Sequence, residues 1–555
     1  MTKKAKNILF IMFDQLRFDY LSCAGHPTLK TPNIDRLASM GVRFNKAYVQ
    51  STICGSSRMS YYTGRYVDSH GCGANTVPLK VGEMTMGDHL RPLGMKTVLV
   101  GKTHMRADAE GMARLGLRPD SEIGARVAEC GFDVYERDDG LLPEGPKGFY
   151  DPAGLNTSYN EYLREKGYES HNPWHDFANS AVTDEGEMAS GWFMKYADKP
   201  ANIEEEHSET PYLTRRGIEF IEQAGDDPWC MHLSFIKPHW PYIVPAPYHS
   251  MYSHNEVLPV VRSEQEKENT HPVLESFTEN PVAVAFARDD VRAKVVPTYM
   301  GLVKQIDDQM GVLFEFLENS GRMDETMIVL TSDHGDYLGD HWLGEKELFH
   351  ECSVKVPMII YDPSEKADKA RGTVCEDLIE AIDLAATFVD YAGGKVPEHI
   401  IEGKSLRPFL EGEQPEDWRD FVISEMDFSQ NLVAKKHNLK PKDSRMIMIA
   451  DKRWKYTFFD AFRPMLFDLE KDPNEFVDLA TDPAYAEIIE MMEKRMAKWS
   501  RRFAQRTTMT DEEFLRKRGS SKESGVLIGI VDEADLDERY TKPYTGKPRQ
   551  PAGSS

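Results

Sequence analysis

Two apolar runs of this chain, one near its N-terminus and one past its middle, each end on side chains that commonly bind a metal ion. Asp14 and Gln15 follow the first run, and Asp333 and His334 follow the second. Carboxylate and amide oxygens suit hard divalent cations, and an added imidazole moves the preference toward Mn²⁺. An aspartate at the end of a buried run needs a partner, because an unpaired buried charge is costly. The sequence therefore predicts a divalent metal site built from both positions.

A cysteine between these positions adds a candidate nucleophile. Cys54 lies four residues before Arg58, so the two side chains share a face of the helix that the segment is predicted to start. A guanidinium can hold a hydroxyl and a carboxylate together through its planar fork. A cation, a nucleophile precursor and a neighbouring arginine are the parts of a hydrolytic site. The predicted metal ligands are Asp14, Gln15, Cys54, Asp333 and His334.

Four apolar runs are typical of buried parallel strands, and each is followed by polar residues. The runs cover residues 7–13, 97–100, 229–235 and 326–332. Helical segments between them indicate an α/β fold with a mainly parallel sheet. In such folds, ligands bind beyond the carboxyl ends of the strands. The polar residues expected to meet there are Asp14, Gln15, Lys102, His104, His239, Asp333 and His334.

The histidine after the third run is the candidate proton donor. His239 lies between Pro238 and Pro241, which restrict the backbone. Because an imidazole can donate a proton near neutral pH, we expect His239 to serve the leaving group or a substrate oxygen. Asn75 is a second candidate donor to a substrate oxygen, although asparagine is also common in ordinary turns.

Composition and hydrophobic pattern divide the chain into a catalytic region, a smaller domain and a tail. Residues 1–415 carry every candidate side chain and form the predicted large α/β domain. Residues 416–505 contain short apolar runs and then an amphipathic segment, which predicts an α+β domain with an antiparallel sheet. Residues 506–555 are charged and weakly periodic, and we interpret them as a disordered tail or an oligomerisation arm. The segment 135–210 is rich in Gly, Pro, Asn and acids, and it is predicted to form loops over the active face.

The composition limits the partners and the compartment. The chain has 555 residues and a formal net charge of −24, which argues against nucleic acid and against an anionic membrane as partners. It has no apolar stretch near the roughly 18–20 residues of a membrane span. Its first apolar run meets Asp14 without a cleavage site, which favours a buried strand over a signal peptide. Seven scattered cysteines indicate reduced thiols and a cytoplasmic protein.

A set of short motifs extends over nearly the whole chain. The motifs are Phe13-Asp14-Gln15, Thr31-Pro32-Asn33-Ile34-Asp35-Arg36-Leu37, Cys54-x-x-x-Arg58, Thr63-Gly64-Arg65, Gly101-Lys102-x-His104, Pro238-His239-x-Pro241, Thr331-Ser332-Asp333-His334-Gly335 and Asp468-Leu469-x-x-Asp472-Pro473-x-Glu475. Taken together, they resemble the type I sulfatases and, more closely, the phosphonate monoester hydrolases of the alkaline phosphatase superfamily. The stretches 75–79 and 245–252 are similar to the phosphonate hydrolases, whereas Lys102-x-His104 is more similar to ordinary arylsulfatases.

The resemblance implies an alkaline-phosphatase-like sandwich, in which helices flank a large mainly parallel sheet, with a smaller C-terminal α+β domain. It also implies that Cys54 is oxidised after translation to Cα-formylglycine, whose hydrate supplies the nucleophile, by a formylglycine-generating enzyme. The family's usual Pro, two places after the cysteine, is replaced by Ser56. The single predicted ion is Ca²⁺ or Mn²⁺ in preference to Mg²⁺, and many sulfatases have Asn where His334 stands.

The resemblance also implies roles for the basic residues toward a small anionic ester substrate. Lys102 and His104 are expected to face one side of the extended end of their strand. His104 would take a proton from the second hydroxyl of the hydrate, which expels sulfate, while Lys102 and Lys346 bind the anionic oxygens. The predicted catalytic residues are Cys54, Arg58, Lys102, His104, His239 and Lys346. The predicted substrate-binding residues are Asn75, Lys102, His239 and Lys346.

Three functions stay open on the sequence alone. The first is an arylsulfatase-type hydrolase of sulfate monoesters with side activity on phosphonate monoesters and phosphodiesters, because an electrostatic site discriminates poorly between such isosteres. The second is a phosphonate monoester or phosphodiester hydrolase by preference. The third is an unconverted, catalytically poor metal-binding homologue, if Ser56 prevents oxidation of Cys54. The tail and the family resemblance favour a homodimer or homotetramer.

Overall fold

The computed structural model describes residues 6–105, 107–118, 121–140, 157–268, 270–518 and 528–535. By their internal contacts, the described residues within 1–396 and 401–502 form one compact unit, and those within 397–400 and 503–535 form a second. The four-stranded sheet near the C-terminus thus belongs to the same unit as the large sheet. The domain boundaries drawn from the sequence, after residues 415 and 505, stay predictions.

The strands of the described residues belong to three sheets. In chain order the strands are β1 (Asn7–Asp14), β2 (Val42–Tyr48), β3 (Lys96–Gly101), β4 (Asp133–Arg137), β5 (Ser180–Val182), β6 (Met188–Ser190), β7 (Trp229–Pro238), β8 (Thr326–Ser332), β9 (Lys355–Val356), β10 (Met358–Tyr361), β11 (Thr373–Glu380), β12 (Val422–Asp427), β13 (Arg445–Ala450), β14 (Trp454–Phe459) and β15 (Met465–Asp468).

The helices range from one turn to more than eight turns. In chain order they are α1 (Pro32–Met40), α2 (Cys54–Thr63), α3 (Val67–His70), α4 (Met86–Leu90), α5 (Ala109–Arg114), α6 (Glu122–Ala128), α7 (Ser158–Glu165), α8 (Glu209–Ala224), α9 (Pro272–Thr278), α10 (Pro281–Phe286), α11 (Asp289–Asn319), α12 (Glu351–Val354), α13 (Asp383–Tyr391), α14 (Arg407–Leu410), α15 (Leu432–Lys436), α16 (Ala486–Ser500) and α17 (Asp511–Arg516).

The large sheet runs in the order β11-β2-β10-β8-β1-β7-β3-β4, and β9 pairs with β2. Most neighbours are parallel, but β10 is antiparallel to both β2 and β8, and β9 is antiparallel to β2. The four strands β8, β1, β7 and β3 are consecutive neighbours and pair in parallel. Their carboxyl ends therefore lie side by side at one edge of the sheet.

The central strand β1 is apolar along its length because both faces of the sheet are covered. Phe10 and Met12 belong to one buried cluster, and Leu9 and Ile11 belong to another. Successive side chains of a strand point to opposite faces, so the two clusters are the two core layers. Helices α2 and α13 contribute side chains to the first layer, and α8 and α11 contribute side chains to the second. This arrangement is a helix–sheet–helix sandwich.

The second sheet has the antiparallel order β12-β13-β14-β15. Its buried side chains include Ile423, Ile449 and Tyr456, which cluster with Met492 and Trp499 of α16. The amphipathic segment predicted from the sequence is this helix. Together with the large mixed sheet, it confirms the predicted fold class.

In the second compact unit, the described residues include α17. Thr510 precedes this helix, and its hydroxyl accepts a hydrogen bond from the Glu513 N–H (3.1 Å). Residues 519–527 and 536–555 lie outside the described residues, so the predicted disordered tail or arm stays a prediction. In the part of the chain that the structure describes, no helix is long and apolar enough to cross a membrane.

One prediction about the fold is wrong in part. The segment 135–210 was expected to form loops, but it contains the end of β4, all of α7, the β5–β6 hairpin and the start of α8. Its short elements lack the long apolar runs by which the sequence reveals central strands. Residues 141–156 of this segment lie outside the described residues.

Candidate active site

Four neighbouring strands deliver candidate residues to one edge of the large sheet. Asp14 is the last residue of β1, and Asp333 directly follows β8. Lys102 directly follows β3, and His239 directly follows β7. Because these strands are adjacent and parallel, residues separated by hundreds of positions in the sequence become neighbours.

Four side chains at this edge form a group that can hold a metal ion. Asp14, Cys54, Asp333 and His334 each offer one ligand atom, and these atoms all lie within 4.8 Å of one another. All four side chains are buried. Two carboxylates, an imidazole and a sulfur in so small a volume match the donor set of a divalent cation, and a cation would offset the cost of burying both carboxylates.

Gln15 reaches the same site through an unusual backbone conformation. Its φ of 68° lies in the left-handed region that non-glycine residues rarely adopt. The Gln15 N–H donates to Asp333 Oδ1 (3.1 Å), and its carbonyl accepts from Tyr299 Oη (2.7 Å). These bonds hold the turn at the end of β1. The side-chain Oε1 accepts from Lys346 Nζ (3.2 Å), which brings both predicted residues to the site.

Cys54 is the first residue of α2. Its Sγ lies 3.0 Å from His334 Nε2 and 3.0 Å from Lys346 Nζ. Burial, followed by the nearby carboxylate of Asp14, raises the pKa of the Cys54 thiol to about 11. An unmodified thiol with that pKa is protonated at neutral pH, so it is a weak nucleophile in the absence of a cation.

Asn75 lies beside the start of α2. Its Oδ1 accepts a hydrogen bond from the Gly55 N–H (2.8 Å), which satisfies a free donor of the helix N-terminus. A Cβ at position 55 would lie 2.9 Å from that oxygen, so any larger residue there would displace the Asn75 side chain. Asn75 therefore positions the residue after Cys54, and its expected role as a donor to a substrate oxygen stays a prediction.

Arg58 lies one turn after Cys54 on α2 and is fully buried. Its Nε donates to Asp333 Oδ2 (2.8 Å), and its Nη2 donates to Asp14 Oδ2 (3.3 Å). Its Nη1 donates to the Lys102 carbonyl (2.9 Å) and to Ser234 Oγ (2.8 Å). The guanidinium thus links both carboxylates of the metal group to the end of β3 and to the middle of β7.

Two lysines surround the Asp14 carboxylate and the Cys54 sulfur. Lys102 Nζ forms a buried ion pair with Asp14 Oδ2, and Lys346 Nζ contacts Cys54 as described above. Burial alone would raise the pKa of Asp14, but Lys102, His239, Arg58 and Lys346 hold this pKa well below its ordinary value. The carboxylate is therefore ionised, and the cationic side chains of Lys102, Arg58 and Lys346 lie close to it.

Backbone carbonyls fix the proton on each of two site histidines. His334 Nδ1–H donates to the Gly335 carbonyl (2.8 Å), and His239 Nδ1–H donates to the Trp240 carbonyl (2.8 Å). Burial comes first among the causes that lower the pKa of both imidazoles. Each neutral ring therefore has its Nε2 lone pair available. That of His334 faces the Cys54 sulfur, and that of His239 accepts from Lys346 Nζ (3.2 Å).

His104 lies next to the site but not in the predicted conformation. The sequence suggested an extended chain after β3, whereas His104 has a φ of 53°, and that prediction is wrong. This conformation is held from beyond the end of β4, because the His104 N–H donates to Asp139 Oδ1 (2.9 Å). His104 Nδ1 is buried without a hydrogen-bond partner. Burial and then Lys102 lower the pKa of His104 well below its ordinary value, so its imidazole is neutral.

Sequence reasoning missed several residues that support the site. Asp336 and Tyr242 contact Gln15, Ser234 contacts Arg58, and Asp139 holds His104. Of these residues, only Asp336 could have been suggested by the sequence, because it lies two residues after the predicted metal ligand His334. The other supporting residues carry no spacing that distinguishes them from ordinary loop or strand positions.

A family model described as Sulfatase matches residues 6–122 and 151–394. A second, described as N-sulphoglucosamine sulphohydrolase, C-terminal, matches residues 339–502. The first match alone covers more than half of the chain. The chain therefore belongs to the sulfatase family.

Similar proteins extend over nearly the whole chain. The multifunctional alkaline phosphatase superfamily protein PehA of Trinickia caryophylli is 30% identical over 90% of this chain and 96% of its own. The arylsulfatase of Clostridium perfringens is 27% identical over 89% of this chain and 94% of its own. The solved phosphonate monoester hydrolase from Silicibacter pomeroyi has a TM-score of 0.78 and 27% identity, covering 92% of this chain and 98% of that one.

These matches confirm the predicted family and fold class. They also confirm the predicted class of enzyme, since the Clostridium perfringens relative is named an arylsulfatase and the solved structure is named a phosphonate monoester hydrolase.

Proposed function

We propose that the chain hydrolyses sulfate monoesters as an arylsulfatase-type enzyme, with a formylglycine hydrate derived from Cys54 as the nucleophile. We further propose side activity on phosphonate monoesters and phosphodiesters. The observation that carries the proposal is the position of Cys54 Sγ, 3.0 Å from both Lys346 Nζ and His334 Nε2 and 3.9 Å from Asp14 Oδ1. A nucleophile at this atom would stand among metal-type ligands and a buried ammonium.

The proposed ion is a single Ca²⁺ or Mn²⁺, held by Asp14, Gln15, Asp333, His334 and the residue at position 54. When bound, such an ion lowers the pKa of a coordinated hydroxyl and polarises the ester. The ligand atoms of Asp14, Cys54, Asp333 and His334 lie close enough to share one ion. Their mixture of oxygen donors with one imidazole supports these ions over softer metals.

The high pKa of the Cys54 thiol supports the need for oxidation. A buried thiol with a pKa of about 11 offers little thiolate at neutral pH. A hydrated aldehyde at this position supplies two hydroxyls, one to displace the alcohol from the ester and one to expel the sulfate. We propose that a formylglycine-generating enzyme carries out this oxidation during maturation.

The basic side chains have separate proposed roles in binding the ester and in moving protons. Lys102 and Lys346 lie against Asp14 and Cys54, and we propose that they bind the anionic oxygens of the ester. His239 Nε2 accepts from Lys346 Nζ, so we propose that the Lys346 ammonium supplies the proton that His239 Nε2 passes to the leaving group or a substrate oxygen. Neutral His104, with its Nδ1 unbonded, would take the proton of the second hydroxyl as sulfate departs.

Aromatic side chains beside His239 support an aryl leaving group. The Trp240 ring lies 4.3 Å from the His239 ring, centroid to centroid, and 5.1 Å from the Trp192 ring. Trp192 is 39% exposed. The two indoles extend from solvent to the imidazole that is proposed to serve the leaving group, and a planar aryl group can pack against such a surface.

The alternative is a hydrolase that prefers phosphonate monoesters or phosphodiesters. The observation that favours it is the likeness over nearly the full length to PehA and to the solved phosphonate monoester hydrolase. Purified enzyme should be assayed with 4-nitrophenyl sulfate and 4-nitrophenyl phenylphosphonate, with Cys54→Ala as the inactive control. A kcat/KM ratio of sulfate to phosphonate far below one would overturn the first proposal in favour of this alternative.

The second alternative is an unconverted homologue that binds metal but turns over poorly. Ser56, at the family's usual proline position, has a buried hydroxyl without a hydrogen-bond partner. Peptide mass spectrometry across position 54, on protein from the natural host, separates the two states. Loss of the sulfur in favour of an aldehyde supports the enzyme proposal, and an intact thiol supports this alternative.

We also propose a cytoplasmic homodimer or homotetramer. All seven cysteines, each within the described residues, are free of disulfide bonds, which supports a reducing compartment. Light scattering coupled to size-exclusion chromatography measures the oligomeric state, and a monomer at micromolar concentration would contradict the oligomer.

A further inference from the structure

Two side chains outside the predicted metal group determine which end of the Gln15 amide faces that group. Gln15 Nε2 donates to Asp336 Oδ2 (2.6 Å) and to Tyr242 Oη (3.2 Å). Tyr242 Oη in turn donates to the same Asp336 oxygen (2.7 Å). All three side chains are buried. They form a closed triangle of hydrogen bonds around one amide nitrogen.

The chemistry of the three groups leaves only one orientation for the amide. Gln15 Nε2 lies 2.6 Å from Asp336 Oδ2, and a carboxyl oxygen is an acceptor that an NH₂ group can bond. The opposite end of the amide accepts from Lys346 Nζ (3.2 Å), and an ammonium can only donate. Both contacts therefore require Oε1, the end that can bind a cation, to point into the site.

The sheet topology explains why these groups meet. Gln15 follows β1, Tyr242 lies after β7, and Asp336 lies after β8. Strand β1 is hydrogen-bonded to both β7 and β8. Asp336 is held in turn by the Leu338 N–H, which donates to its Oδ1 (3.0 Å). Each neighbour of the central strand thus contributes one constraint on the Gln15 side chain.

We propose that Asp336 and Tyr242 are positioning residues that hold Gln15 Oε1 toward the cation and keep its NH₂ group away. The inference rests on the metal site of the proposed function. If the amide turned over, it would present two N–H donors to a cation, which repels the ion and removes one oxygen ligand. Partners that orient metal ligands typically contribute about 10–100-fold to metal affinity.

The test is Mn²⁺ binding to chelator-treated protein, followed by isothermal titration calorimetry and by the rise in Tm on adding Mn²⁺. The Asp336→Asn variant can pair with either end of the amide, so we expect its Mn²⁺ affinity to fall about 10–100-fold. Tyr242→Phe removes only one donor to Asp336 and should lower the affinity less. It also keeps the test open if Asp336→Asn folds poorly. In both variants, excess Mn²⁺ should restore most of kcat.

A matched control separates orientation from stability. Asp307 is also fully buried, and its carboxylate accepts from the Ile34 N–H (2.9 Å) and from Asn33 Nδ2 (3.1 Å). Asp307→Asn should lower the free energy of unfolding while leaving the Mn²⁺ affinity unchanged. A loss of affinity in this variant equal to that of Asp336→Asn would show that any damaged core weakens the site, and would overturn the proposal.

A double variant gives the sharpest outcome. Gln15→Glu places a carboxylate at position 15 against the carboxylate of Asp336. Adding Asp336→Asn then places an amide N–H donor opposite the carboxylate at position 15, so that a hydrogen bond can form again. Asp336→Asn should therefore raise Mn²⁺ affinity in the Gln15→Glu background, although it lowers affinity in the wild type. The same sign in both backgrounds would overturn the proposal. If the wild type bound neither Mn²⁺ nor Ca²⁺, the metal-dependent function itself would be overturned instead.

Discussion

The Arg58→Met substitution tests how the buried charges of the site are balanced. Arg58 contacts the carboxylates of Asp333 and Asp14 at 2.8 and 3.3 Å, and all three side chains are fully buried. Methionine has a similar length and no charge. The substitution therefore leaves both carboxylates in the core with less compensation, while the volume of the side chain is largely kept.

The expected loss in the free energy of unfolding follows from these two distances. With an effective dielectric constant near 20, Coulomb's law gives roughly 5–6 kcal/mol for each pair. Much of this attraction is offset by the cost of removing the guanidinium from water. Breaking a buried pair by deleting one partner typically costs about 3–5 kcal/mol, and we expect a loss of that size in the free energy of unfolding without metal.

Urea denaturation in chelator and in saturating Mn²⁺ is the assay. A bound cation compensates the two carboxylates in place of Arg58, so the loss caused by Arg58→Met should be clearly smaller in Mn²⁺ than in chelator. Arg419→Met is the matched control, because Arg419 pairs with the buried Glu380 and Asp383 away from the site. The loss in the free energy of unfolding caused by Arg419→Met should be the same in chelator and in Mn²⁺. An equal loss for Arg58→Met in both conditions would refute the reasoning.

Three further predictions concern catalysis and pH. Cys54→Ser should form a sulfated enzyme and then stop, because one hydroxyl leaves no second group to expel the sulfate; intact-protein mass spectrometry detects the adduct. His239→Ala should lower kcat roughly 100-fold or more with little change in KM, if the imidazole acts on developing charge; steady-state kinetics measures both. Burial and then Arg65 lower the pKa of His70 to about 3. Because the unfolded chain then binds a proton that the folded chain does not, stability falls below about pH 6.5, by about 1.4 kcal/mol per pH unit. His70→Gln should therefore lose about 2 kcal/mol less than the wild type between pH 6.5 and pH 5 in urea titrations.

Each of these has a result that counts against it. Steady turnover by Cys54→Ser would contradict the hydrate mechanism. An unchanged kcat with a raised KM would show that His239 only holds the substrate. Parallel pH profiles for His70→Gln and the wild type would show that His70 is not the group that titrates. That last outcome would be unexpected, because His70 Nδ1 accepts from the Cys72 N–H (3.1 Å) and cannot gain a proton without losing this bond.

The strands that a sequence reveals are those buried on both faces. β1, β3, β7 and β8 are continuous apolar runs, and they were predicted within a few residues. β2 has the sequence Val-Arg-Phe-Asn-Lys-Ala-Tyr and is only partly buried. Its place in the sheet depends on pairing with β10 and β11, more than 300 residues later. Such pairing is set by tertiary packing, which local patterns do not encode.

The residues of the candidate site could also be predicted only where the local sequence marks the end of a buried strand. Residues that end predicted strands were found because parallel topology carries them to one edge. Tyr242 was missed because a tyrosine after a strand is ordinary, and its importance depends on the carboxylate it meets. The conformation of His104 was also missed, because Asp139 acts on it from another strand end. Local sequence can propose ligands, but it cannot show what holds them.

The distance along the chain between the two halves of the ligand set has a consequence for synthesis. The Gln15 N–H and the Asp333 carboxylate that it contacts are 318 residues apart. As the ribosome delivers the protein from its N-terminus, β1 and α2 emerge long before β8, and closing so long a loop is among the slower steps of folding. A nascent chain or truncated product that stops short of residue 333 has no complete pocket for the ion. If the chain binds the proposed cation, uptake is therefore a late event, and bound cation would mark a chain whose central strands have all been joined.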